Sequence, residues 1–456
     1  MAKDRATYHC SECGWTSAKW LGQCRQCQAW GSLEEIGASE AALPSTRTPA
    51  RAAVPISTIK GGIAQHQPTG AGEFDRVLGG GLVAGAVVLL AGEPGVGKST
   101  LLLDIAARMA ADTTPDAPVL YITGEESSSQ VQMRAARIGA LHDNLYLTDE
   151  NDLATILGHI EATSPSFLLV DSVQTIQSSS VEGGAGGTTQ VRAVASALIR
   201  VAKTRNLPVI LVGHVTKDGG IAGPRVLEHL VDVVCQFEGD RHSRLRLLRA
   251  VKNRYGPTDE VGCFELDDAG IHGLPDPSGL FLSHTSKDTS GSCVTVTLEG
   301  RRPMPTEIQA LTSHGSGGSP RRTTSGVDHS RVAMILAVLE ARAGTQTANL
   351  DVYVSTVGGA RTQEPAVDLA TAIAVKSAAA IRPVRPGCVV IGELGLSGDV
   401  RACTGLQRRL QEAARLGFTM AVIPAQGSEE LRAIPGIDIM PVSDLSTAIR
   451  VTLGLG

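Results

Sequence analysis

The chain has 456 residues, of which 42% are hydrophobic and 19% are charged. At roughly 150 residues per domain, this length predicts about three folded units, and the composition excludes a disordered or fibrous protein. The formal net charge of −5 argues against a generic binder of polyanions, so any affinity for nucleic acid must be local. No apolar stretch reaches the ~18 residues that span a bilayer and no signal peptide is evident, so we predict a cytoplasmic protein without a membrane partner.

Four of the nine cysteines lie near the start of the chain in the pattern C-x2-C-x10-C-x2-C. Two facing pairs of thiolates are typical of a structural Zn²⁺ site, because soft sulfur ligands in a closed tetrahedron select this ion. Two disulfides or a redox dithiol are the alternatives, and neither suits a cytoplasmic chain with a duplicated pair. We therefore predict that residues 1–36 form a zinc finger whose ligands are Cys10, Cys13, Cys24 and Cys27.

All three tryptophans of the chain, Trp15, Trp20 and Trp30, lie in this predicted zinc finger. A module of about 30 residues buries little surface, so it needs both the metal and large side chains in order to fold. We therefore favour packing around the metal as the role of the three rings, with stacking against unpaired bases as the alternative.

Residues 37–57 are rich in Ala, Pro, Ser and Thr without an apolar period, which indicates a linker. Short apolar runs then alternate with amphipathic segments. The runs that predict strands are 87–90, 119–123, 167–170, 209–212 and 231–237, and the segments that predict helices are 99–111, 127–138 and 190–205. This alternation is typical of an α/β domain with a largely parallel, buried sheet, which we assign to residues 58–282.

The pattern changes after residue 282 to that of a smaller α+β domain, predicted over residues 283–456. Its predicted elements are a strand at 292–298, a loop rich in Gly, Ser, Pro and Arg at 313–326, and helices at 330–343, 366–380 and 406–416. The fold class predicted for the whole chain is therefore α/β, with a four-cysteine module before the α/β domain and an α+β domain after it.

The sequence GEPGVGKS at residues 92–99 fits the pattern G-x4-G-K-[ST] between a predicted strand and a predicted helix, the context of a phosphate-binding loop. In such a loop, backbone N–H groups and the helix N-terminus face the phosphates. Lys98 is predicted to reach the β- and γ-phosphates, and Ser99 to ligate Mg²⁺. The predicted nucleotide-binding residues of this segment are Gly92, Glu93, Pro94, Gly95, Val96, Gly97, Lys98, Ser99 and Thr100.

A nucleotide hydrolase also needs a carboxylate for the metal and a group that orients water. The apolar run at 167–170 ends in Asp171, which we predict to hold Mg²⁺; the next residue is Ser172, where protein-unfolding ATPases usually have the catalytic Glu. We therefore assign Glu125, after the neighbouring strand, as the catalytic residue that polarises water, with Glu126 as its substitute and a solvated acidic turn as the alternative. His214 follows another strand and is predicted to sense the nucleotide, with an ordinary core hydrogen bond as the alternative.

The sequence LLVDSV at residues 168–173 resembles the corresponding strand of RecA recombinases, and KNRYG at 252–256 resembles the KNRFG signature of the RadA (Sms) family of bacterial DNA-repair ATPases. Tyr255 stands where this signature usually has Phe. The resemblance covers essentially the whole chain and implies a zinc finger, a RecA-like ATPase and a C-terminal part similar to the Lon protease domain. It implies an ATP hydrolase that depends on DNA, uses Mg²⁺, and acts in recombinational repair by driving branch migration on single-stranded or branched DNA. It also implies a hexameric ring and the RecA recombinase as a partner.

Six cations and no acid lie between residues 241 and 254. These cations are Arg241, Arg244, Arg246, Arg249, Lys252 and Arg254. Phosphate contact with DNA is one interpretation of the segment, and a solvated strand face is another. For Lys252 and Arg254 the family resemblance implies catalytic insertion into the ATP site of the neighbouring subunit.

Two glycine-rich loops, 178–189 and 216–225, lie where RecA-like proteins place their DNA-contacting loops. Glycine lets the backbone approach phosphates closely, and cations add electrostatic attraction. The residues predicted to bind DNA are Lys217, Arg225 and Arg246.

The C-terminal part resembles the segments of Lon-type proteases that carry a Ser nucleophile and a Lys base, but these positions fall on Ala366 and Gln407. Neither side chain can perform the chemistry of a Ser–Lys dyad, so we predict a domain without peptidase activity. An ATP-dependent protease or protein-remodelling ATPase is the first alternative function, and a signalling or scaffold ATPase is the second.

Overall fold

A computed structural model describes residues 7–36, 54–58, 65–214, 227–239, 244–282, 289–314, 320–359 and 362–454. They belong to two compact units, residues 1–63 and 64–456, which are taken separately below. Within these described ranges, no helix is both long enough and apolar enough to cross a membrane.

The first unit contains three short strands, β1 (Thr7–Cys10), β2 (Thr16–Ser17) and β3 (Leu33–Ile36). They pair antiparallel in the order β2-β1-β3, so that β1 lies in the centre and ends on the first cysteine. Of the predicted linker at 37–57, the structure describes residues 54–57. A short 3-10 turn spans Ile56–Thr58.

The second unit begins with a hairpin of β4 (His66–Gln67) and β5 (Leu82–Val83) around helix α1 (Gly72–Leu78). The strands of its main sheet are β6 (Val87–Gly92), β7 (Val119–Thr123), β8 (Leu145–Asp149), β9 (Phe167–Asp171), β10 (Val209–His214), β11 (Val233–Glu238), β12 (Leu245–Asn253), β13 (Val261–Asp267) and β14 (Gly270–Gly273). The described strands lie in the order β14-β13-β12-β11-β6-β10-β9-β7-β8. From β11 to β8 they run parallel, while β12, β13 and β14 extend the sheet antiparallel.

Helices cover both faces of this sheet, which explains why its central strands are apolar throughout rather than alternating. The remaining helices of this part are α2 (Lys98–Ala111), α3 (Ser128–Arg137), α4 (Leu153–Thr163), α5 (Thr188–Arg205) and the short α6 (Ser278–Phe281). One core joins α1, α2 and α3 to residues such as Val88 and Leu90, and the other joins α4 and α5 to Val87 and Leu89. Alternate residues of β6 therefore enter opposite cores, as the pleat of a strand requires.

A second sheet occupies the C-terminal part. Its strands are β15 (Ser292–Glu299), β16 (Arg302–His314), β17 (Arg322–Ser325), β18 (Leu350–Thr356), β19 (Cys388–Val390), β22 (Met420–Pro424) and β23 (Asp438–Val442), with β20 (Glu393–Leu394) and β21 (Val400–Arg401) as a separate hairpin. The described order is β17-β18-β16-β15-β19-β22-β23. Helices α7 (His329–Ala343), α8 (Asp368–Ala380) and α10 (Leu445–Leu453) pack in one core, and α9 (Leu406–Arg415) packs in another. Short 3-10 turns lie at Val357–Gly359, Pro365–Val367 and Ser428–Glu430.

The predicted α/β fold class is confirmed, and each predicted strand and helix is present with ends within two residues of the prediction. One prediction is wrong, because part of the expected loop at 313–326 is strand β17. This segment pairs parallel with β18, and the backbone hydrogen bonds of that pairing outweigh the local preference of its polar sequence for a loop.

Buried polar contacts join the two sheets. The guanidinium of Arg302 in β16 forms an ion pair with Glu73 in α1, and both side chains are almost completely buried. Arg302 also donates hydrogen bonds to the carbonyl oxygens of Val261 (3.0 Å) and Pro275 (2.7 Å). A small apolar cluster of Cys263, Phe281 and Met304 lies at the same junction. The main sheet and the C-terminal sheet are therefore connected by packing as well as by the chain.

We expect Arg302→Ala to lower the free energy of unfolding by about 3 kcal/mol, because the buried carboxylate of Glu73 then keeps only the half-exposed Arg76 as its cation. The neighbouring Arg301 provides a matched control, since it pairs with Asp259 at 3.2 Å and both side chains are half-exposed. Arg301→Ala is expected to cost at most about 1 kcal/mol. Urea unfolding of the two variants measures the difference, and equal losses would contradict a buried junction.

Candidate active site

The phosphate-binding loop leaves the buried strand β6 and enters α2 directly at Lys98. Gly97 has a φ of 104°, which glycine adopts without strain, and a Cβ at Gly92 would lie 2.4 Å from the carbonyl oxygen of Phe237. Both positions therefore require glycine for the turn that presents backbone N–H groups at the start of α2. Such a turn at a helix N-terminus is a binding site for phosphate.

The Lys98 side chain folds back over this loop. Its Nζ donates hydrogen bonds to the carbonyl oxygens of Gly92 (2.8 Å) and Glu93 (2.9 Å), and the residue is only 3% exposed. Burial lowers the pKa of Lys98 to about 8, although the nearby carboxylates of Asp171 and Glu125 act in the opposite direction. A buried ammonium held by neutral carbonyl groups is well placed to attract the negative charge of a phosphate.

Asp171 ends β9 at the same edge of the sheet. The Tyr121 hydroxyl donates a hydrogen bond to its Oδ2 (2.9 Å), whereas Oδ1 is buried and accepts no hydrogen bond from the part of the chain that is described. Burial raises the pKa of Asp171, an effect that the Ser99 and Tyr121 side chains partly offset. A buried carboxylate oxygen without a donor, close to a serine hydroxyl, fits the oxygen ligands that Mg²⁺ prefers.

Glu125 lies just beyond β7, next to Asp171. Its Oε1 accepts hydrogen bonds from the Ser172 hydroxyl (2.6 Å) and from His214 Nε2 (2.9 Å). The hydrogen bond from His214, with that from Ser172, outweighs burial and lowers the pKa of Glu125 to about 2. Glu126 is instead paired with Arg134 on α3. Of the two adjacent carboxylates, Glu125 is therefore the one directed at the site, and it is a stable anion that can orient water.

His214 connects this carboxylate to the rest of the site. It lies opposite Gly92 in the parallel pairing of β10 with β6, so the imidazole is one strand away from the phosphate loop. Gln174 holds its backbone through two hydrogen bonds, from His214 N to Gln174 Oε1 (2.9 Å) and from Gln174 Nε2 to His214 O (3.0 Å). The predicted sensor is therefore fixed in position beside Glu125 at the end of β10.

Three residues of the site were not predicted from the sequence: Tyr121, Ser172 and Gln174. Tyr121 carries a hydroxyl within an apolar run, which could have suggested a buried hydrogen bond to a neighbouring strand. The sequence shows that Ser172 stands where protein-unfolding ATPases usually have a glutamate, but it does not indicate a contact with Glu125. Nothing in the local sequence of Gln174 indicates that it pairs with a residue 40 positions later.

The KNRYG segment at 252–256 lies at the other end of β6 from the phosphate loop. In the register of the sheet, β11 residue Val233 is opposite both Asn253 and Val88, whereas the phosphate loop follows Gly92. At about 3.3 Å per residue, more than ten ångströms of strand separate the two ends. The structure therefore does not bring Lys252 and Arg254 to the phosphate loop of their own chain.

Arg254 is held at the surface by a buried carboxylate. Its Nη1 lies 3.3 Å from Asp232 Oδ1, and the Arg254 side chain is 55% exposed. Asp232 Oδ2 accepts hydrogen bonds from Lys203 Nζ (2.5 Å) and from the backbone N of Val87 (3.0 Å), the first residue of β6. Lys203 also contacts the Tyr255 hydroxyl (3.4 Å), which the usual Phe would lack. The cation is therefore anchored to the strand that leads to the phosphate loop.

Lys252 lies beside this anchor, and its Nζ donates to the carbonyl oxygens of Glu228 (2.7 Å) and Val231 (2.8 Å). Burial lowers the pKa of Lys252, with the nearby Arg254 acting in the same direction. Both cations of the signature are thus present on one surface, with Arg254 the more accessible.

The proposed DNA contact of Arg246 is not supported by its position. Arg246 is 6% exposed, and its Nε donates a hydrogen bond to the carbonyl oxygen of Val96 in the phosphate loop (3.0 Å). A guanidinium buried beneath that loop cannot reach a DNA backbone, so we correct its assignment to support of the loop. Arg249 is also occupied, since it pairs with Glu299 (2.6 Å) of the C-terminal sheet.

The two predicted DNA loops are described to different extents. Lys217 and Arg225 lie outside the described residues, as does Arg241. In the first loop, the buried Gln190 Nε2 donates to the carbonyl oxygens of Val181 (2.6 Å) and Gly183 (3.1 Å). This loop contains Glu182 and no cation, so any DNA contact there must use backbone N–H groups or the Ser and Thr hydroxyls.

The four cysteines predicted to bind zinc come together. Their Sγ atoms lie within 4.8 Å of one another, with Cys10 and Cys27 at 3.6 Å and Cys13 and Cys24 at 3.7 Å. Zn–S bonds of about 2.3 Å in a tetrahedron place sulfurs about 3.8 Å apart, whereas a disulfide requires about 2.05 Å. The geometry therefore fits one Zn²⁺ with four thiolates and not a pair of disulfides.

The positions of the Lon-type dyad hold no nucleophile or base. Ala366 is buried, and Gln407 exchanges hydrogen bonds with the backbone of Arg432. Close by, the fully buried Arg409 forms an ion pair with Glu364 and donates to the carbonyl oxygen of Val296 (2.6 Å). The region that would carry peptidase chemistry is therefore occupied by structural contacts.

Comparison with known proteins matches three family models to the chain. A rubredoxin metal binding domain matches residues 8–35, an AAA domain matches residues 72–220, and a model described as subunit ChlI of Mg-chelatase matches residues 329–427. The chain is 50% identical to the DNA repair protein RadA of Mycobacterium tuberculosis H37Rv, over 99% of this chain and 94% of that protein. It is 49% identical to the protein of the same name from Mycolicibacterium smegmatis, over 98% and 97% of the two chains. The protein of that name from Bacillus subtilis is 42% identical over the whole of both.

Proposed function

This chain belongs to the RadA family of DNA repair ATPases, and we propose that it uses ATP hydrolysis to move on single-stranded or branched DNA and to drive branch migration of recombination intermediates. The observation that supports a motor most directly is the convergence of four strand ends. The phosphate loop and Glu125 follow β6 and β7, and Asp171 and His214 are the last residues of β9 and β10, all at one edge of the sheet. The loops that would contact DNA begin at the same edge.

In the proposed mechanism, Lys98 and the loop amides bind the phosphates of ATP. Ser99 and Asp171 would hold Mg²⁺, which neutralises phosphate charge when bound. Glu125 orients the attacking water, and its position depends on the hydrogen bonds from Ser172 and His214. Lys252 and Arg254 complete the site of the next subunit, where a cation supplied in trans stabilises the transition state.

Coupling to DNA is proposed to run through His214 and Gln174. His214 is the last residue of β10 before the loop at 216–225, and Gln174 lies shortly before the loop at 178–189. Because the two residues hydrogen-bond to each other, a change at Glu125 on loss of the γ-phosphate reaches both loops. Lys217 and Arg225 are proposed as the cations that contact DNA phosphates.

The proposed mechanism also concerns the oligomeric state of the chain and its partner. A trans cation requires an oligomer, for which we propose a hexameric ring, and the RecA recombinase is the proposed partner. The relatives are bacterial proteins, and bacterial DNA lies in the cytoplasm, where we place the reaction.

The proposed domains remain 1–36, 58–282 and 283–456, joined by the linker 37–57. Ala366 and Gln407 argue against the protease alternative.

A branch-migration assay tests the proposed function. A three-strand DNA intermediate is incubated with the full chain and either ATP or a non-hydrolysable analogue. Extension of the joint with ATP alone is the expected result. ATP-dependent cleavage of an unfolded protein, with no change in the DNA, would instead support the protease.

ATP binding is expected to weaken as the pH rises above about 8. The pKa of Lys98 without bound nucleotide is about 8, so its side chain is a charged ammonium below this pH. Above this pH the side chain is mostly neutral, and it must take up a proton when the anionic phosphates bind. The dissociation constant of a non-hydrolysable ATP analogue, measured between pH 7 and 10, should therefore rise by up to about tenfold per pH unit above 8. Lys98→Arg stays charged and should remove this dependence. A flat profile in the parent protein would contradict the assignment.

A further inference from the structure

Two of the three tryptophans in the zinc-binding unit are exposed. Trp20 is 62% exposed and Trp30 is 77% exposed, whereas Trp15 is half-buried. The packing role favoured from the sequence is therefore wrong for Trp20 and Trp30. The reason is that four thiolates complete the coordination of a zinc ion and Trp15 already packs in the module, so folding does not require the other two rings.

The two exposed rings face a common space. A Cβ built on Gly22 would lie 3.8 Å from Cζ3 of Trp30 and 3.9 Å from Cη2 of Trp20. Glycine at this position leaves both indoles close together with no side chain between them. Two neighbouring aromatic faces that are open to solvent form a surface on which flat groups can stack.

Two cations lie close in sequence to these rings. Residues 17–32 contain two cations, Lys19 and Arg25, and no acid. Both cations are exposed, and neither takes part in an ion pair within the described chain. The remaining exposed neighbours include Gln26 and Gln28, whose amides are polar rather than apolar.

From these observations we propose that Trp20 and Trp30 form a stacking platform for the unpaired bases of single-stranded DNA, with Lys19 and Arg25 beside the backbone phosphates. Stacking on aromatic side chains combined with cations along the backbone is the usual way in which proteins bind single strands without sequence preference. The choice of DNA as the ligand rests on the proposed function. The platform would give the chain a second DNA contact, separate from the loops of the ATPase sheet.

Tryptophan fluorescence tests this proposal in the full chain, because every tryptophan lies within residues 15–30 and the emission therefore reports on this unit alone. Adding oligo(dT) is expected to quench the emission saturably. Trp20→Ala and Trp30→Ala should each reduce the quenching and weaken oligo(dT) binding by this unit on the order of tenfold. Trp15→Phe is the matched control and should retain the quenching. Zinc content measured for each variant verifies that the unit still folds.

An abasic oligonucleotide of the same length separates stacking from charge, since it carries the phosphates without the bases. Quenching by oligo(dT) and not by the abasic strand is the expected result. Equal quenching by both strands, or quenching that survives both alanine substitutions, would overturn the proposal. Emission that ignores oligo(dT) but responds to an added protein partner would overturn it as well, in favour of a protein interface.

The ATPase rate measured with the same oligo(dT) distinguishes this inference from the proposed function. If DNA stimulates ATP hydrolysis without quenching the emission, the stacking platform fails and the motor stands. If the emission is quenched while the ATPase rate ignores DNA, the motor fails and the platform stands.

Discussion

Glu125→Gln is expected to reduce the rate of ATP hydrolysis by about 10²–10⁴-fold while leaving ATP binding intact. The substitution keeps the shape of the side chain but removes the negative charge that His214 and Ser172 hold toward the site. The phosphate loop and Lys98 do not depend on this charge for their contacts with Gly92 and Glu93. Steady-state ATPase rates and the affinity for a non-hydrolysable analogue measure the two effects.

Glu126→Gln is the matched control, because Glu126 is the adjacent carboxylate and is paired with Arg134. It should change the ATPase rate only slightly. If Glu126→Gln abolished hydrolysis and Glu125→Gln did not, the assignment of the water-orienting residue would be reversed.

Arg254→Ala is expected to reduce ATP hydrolysis by about 10³–10⁵-fold, the effect of losing a cation supplied in trans. Its own phosphate loop lies at the far end of β6, so affinity for ATP in an isolated subunit should be preserved. Thermal unfolding should also change little, because the buried Asp232 keeps its contacts with Lys203 and the backbone N of Val87. Arg244→Ala, at another exposed arginine of the same basic segment, is the control and should retain activity.

Mixing subunits tests whether Arg254 acts across an interface. The Arg254→Ala variant has an intact Glu125, and the Glu125→Gln variant has an intact Arg254. In a random equal mixture, roughly a quarter of the interfaces combine the two intact residues, so partial recovery of hydrolysis is expected. No recovery in mixed oligomers would mean that Arg254 acts within its own subunit.

The fold could be predicted well from the sequence because its signals are local. Apolar runs such as 167–170 and the turn residues around Lys98 specify a strand and a strand-to-helix loop regardless of the rest of the chain. The cysteine spacing likewise fixes four ligands within 18 residues. Where the pairing partner is distant, local preference failed, as in strand β17, which exists through its pairing with β18.

The site was predicted only in part for the same reason. Arg246 belongs to a basic run that suggests DNA, but the sheet register places it under the phosphate loop 150 residues earlier. The partner of the Tyr121 hydroxyl, Asp171, lies 50 residues later in the chain. The partner of Gln174, His214, lies 40 residues later, and no local sequence pattern predicts which residues these side chains contact. For Trp20 and Trp30, composition predicted burial, whereas the small module has no core deep enough to cover them.

The proposed function requires that ATP hydrolysis by this chain depends on DNA. The most direct measurement is the steady-state ATPase rate of the full chain at saturating ATP and Mg²⁺, with and without single-stranded DNA, and with Lys98→Ala as the background. We predict a several-fold higher rate with DNA, and no activity above background in Lys98→Ala under either condition. A rate in the parent protein that is the same with and without DNA would contradict the account.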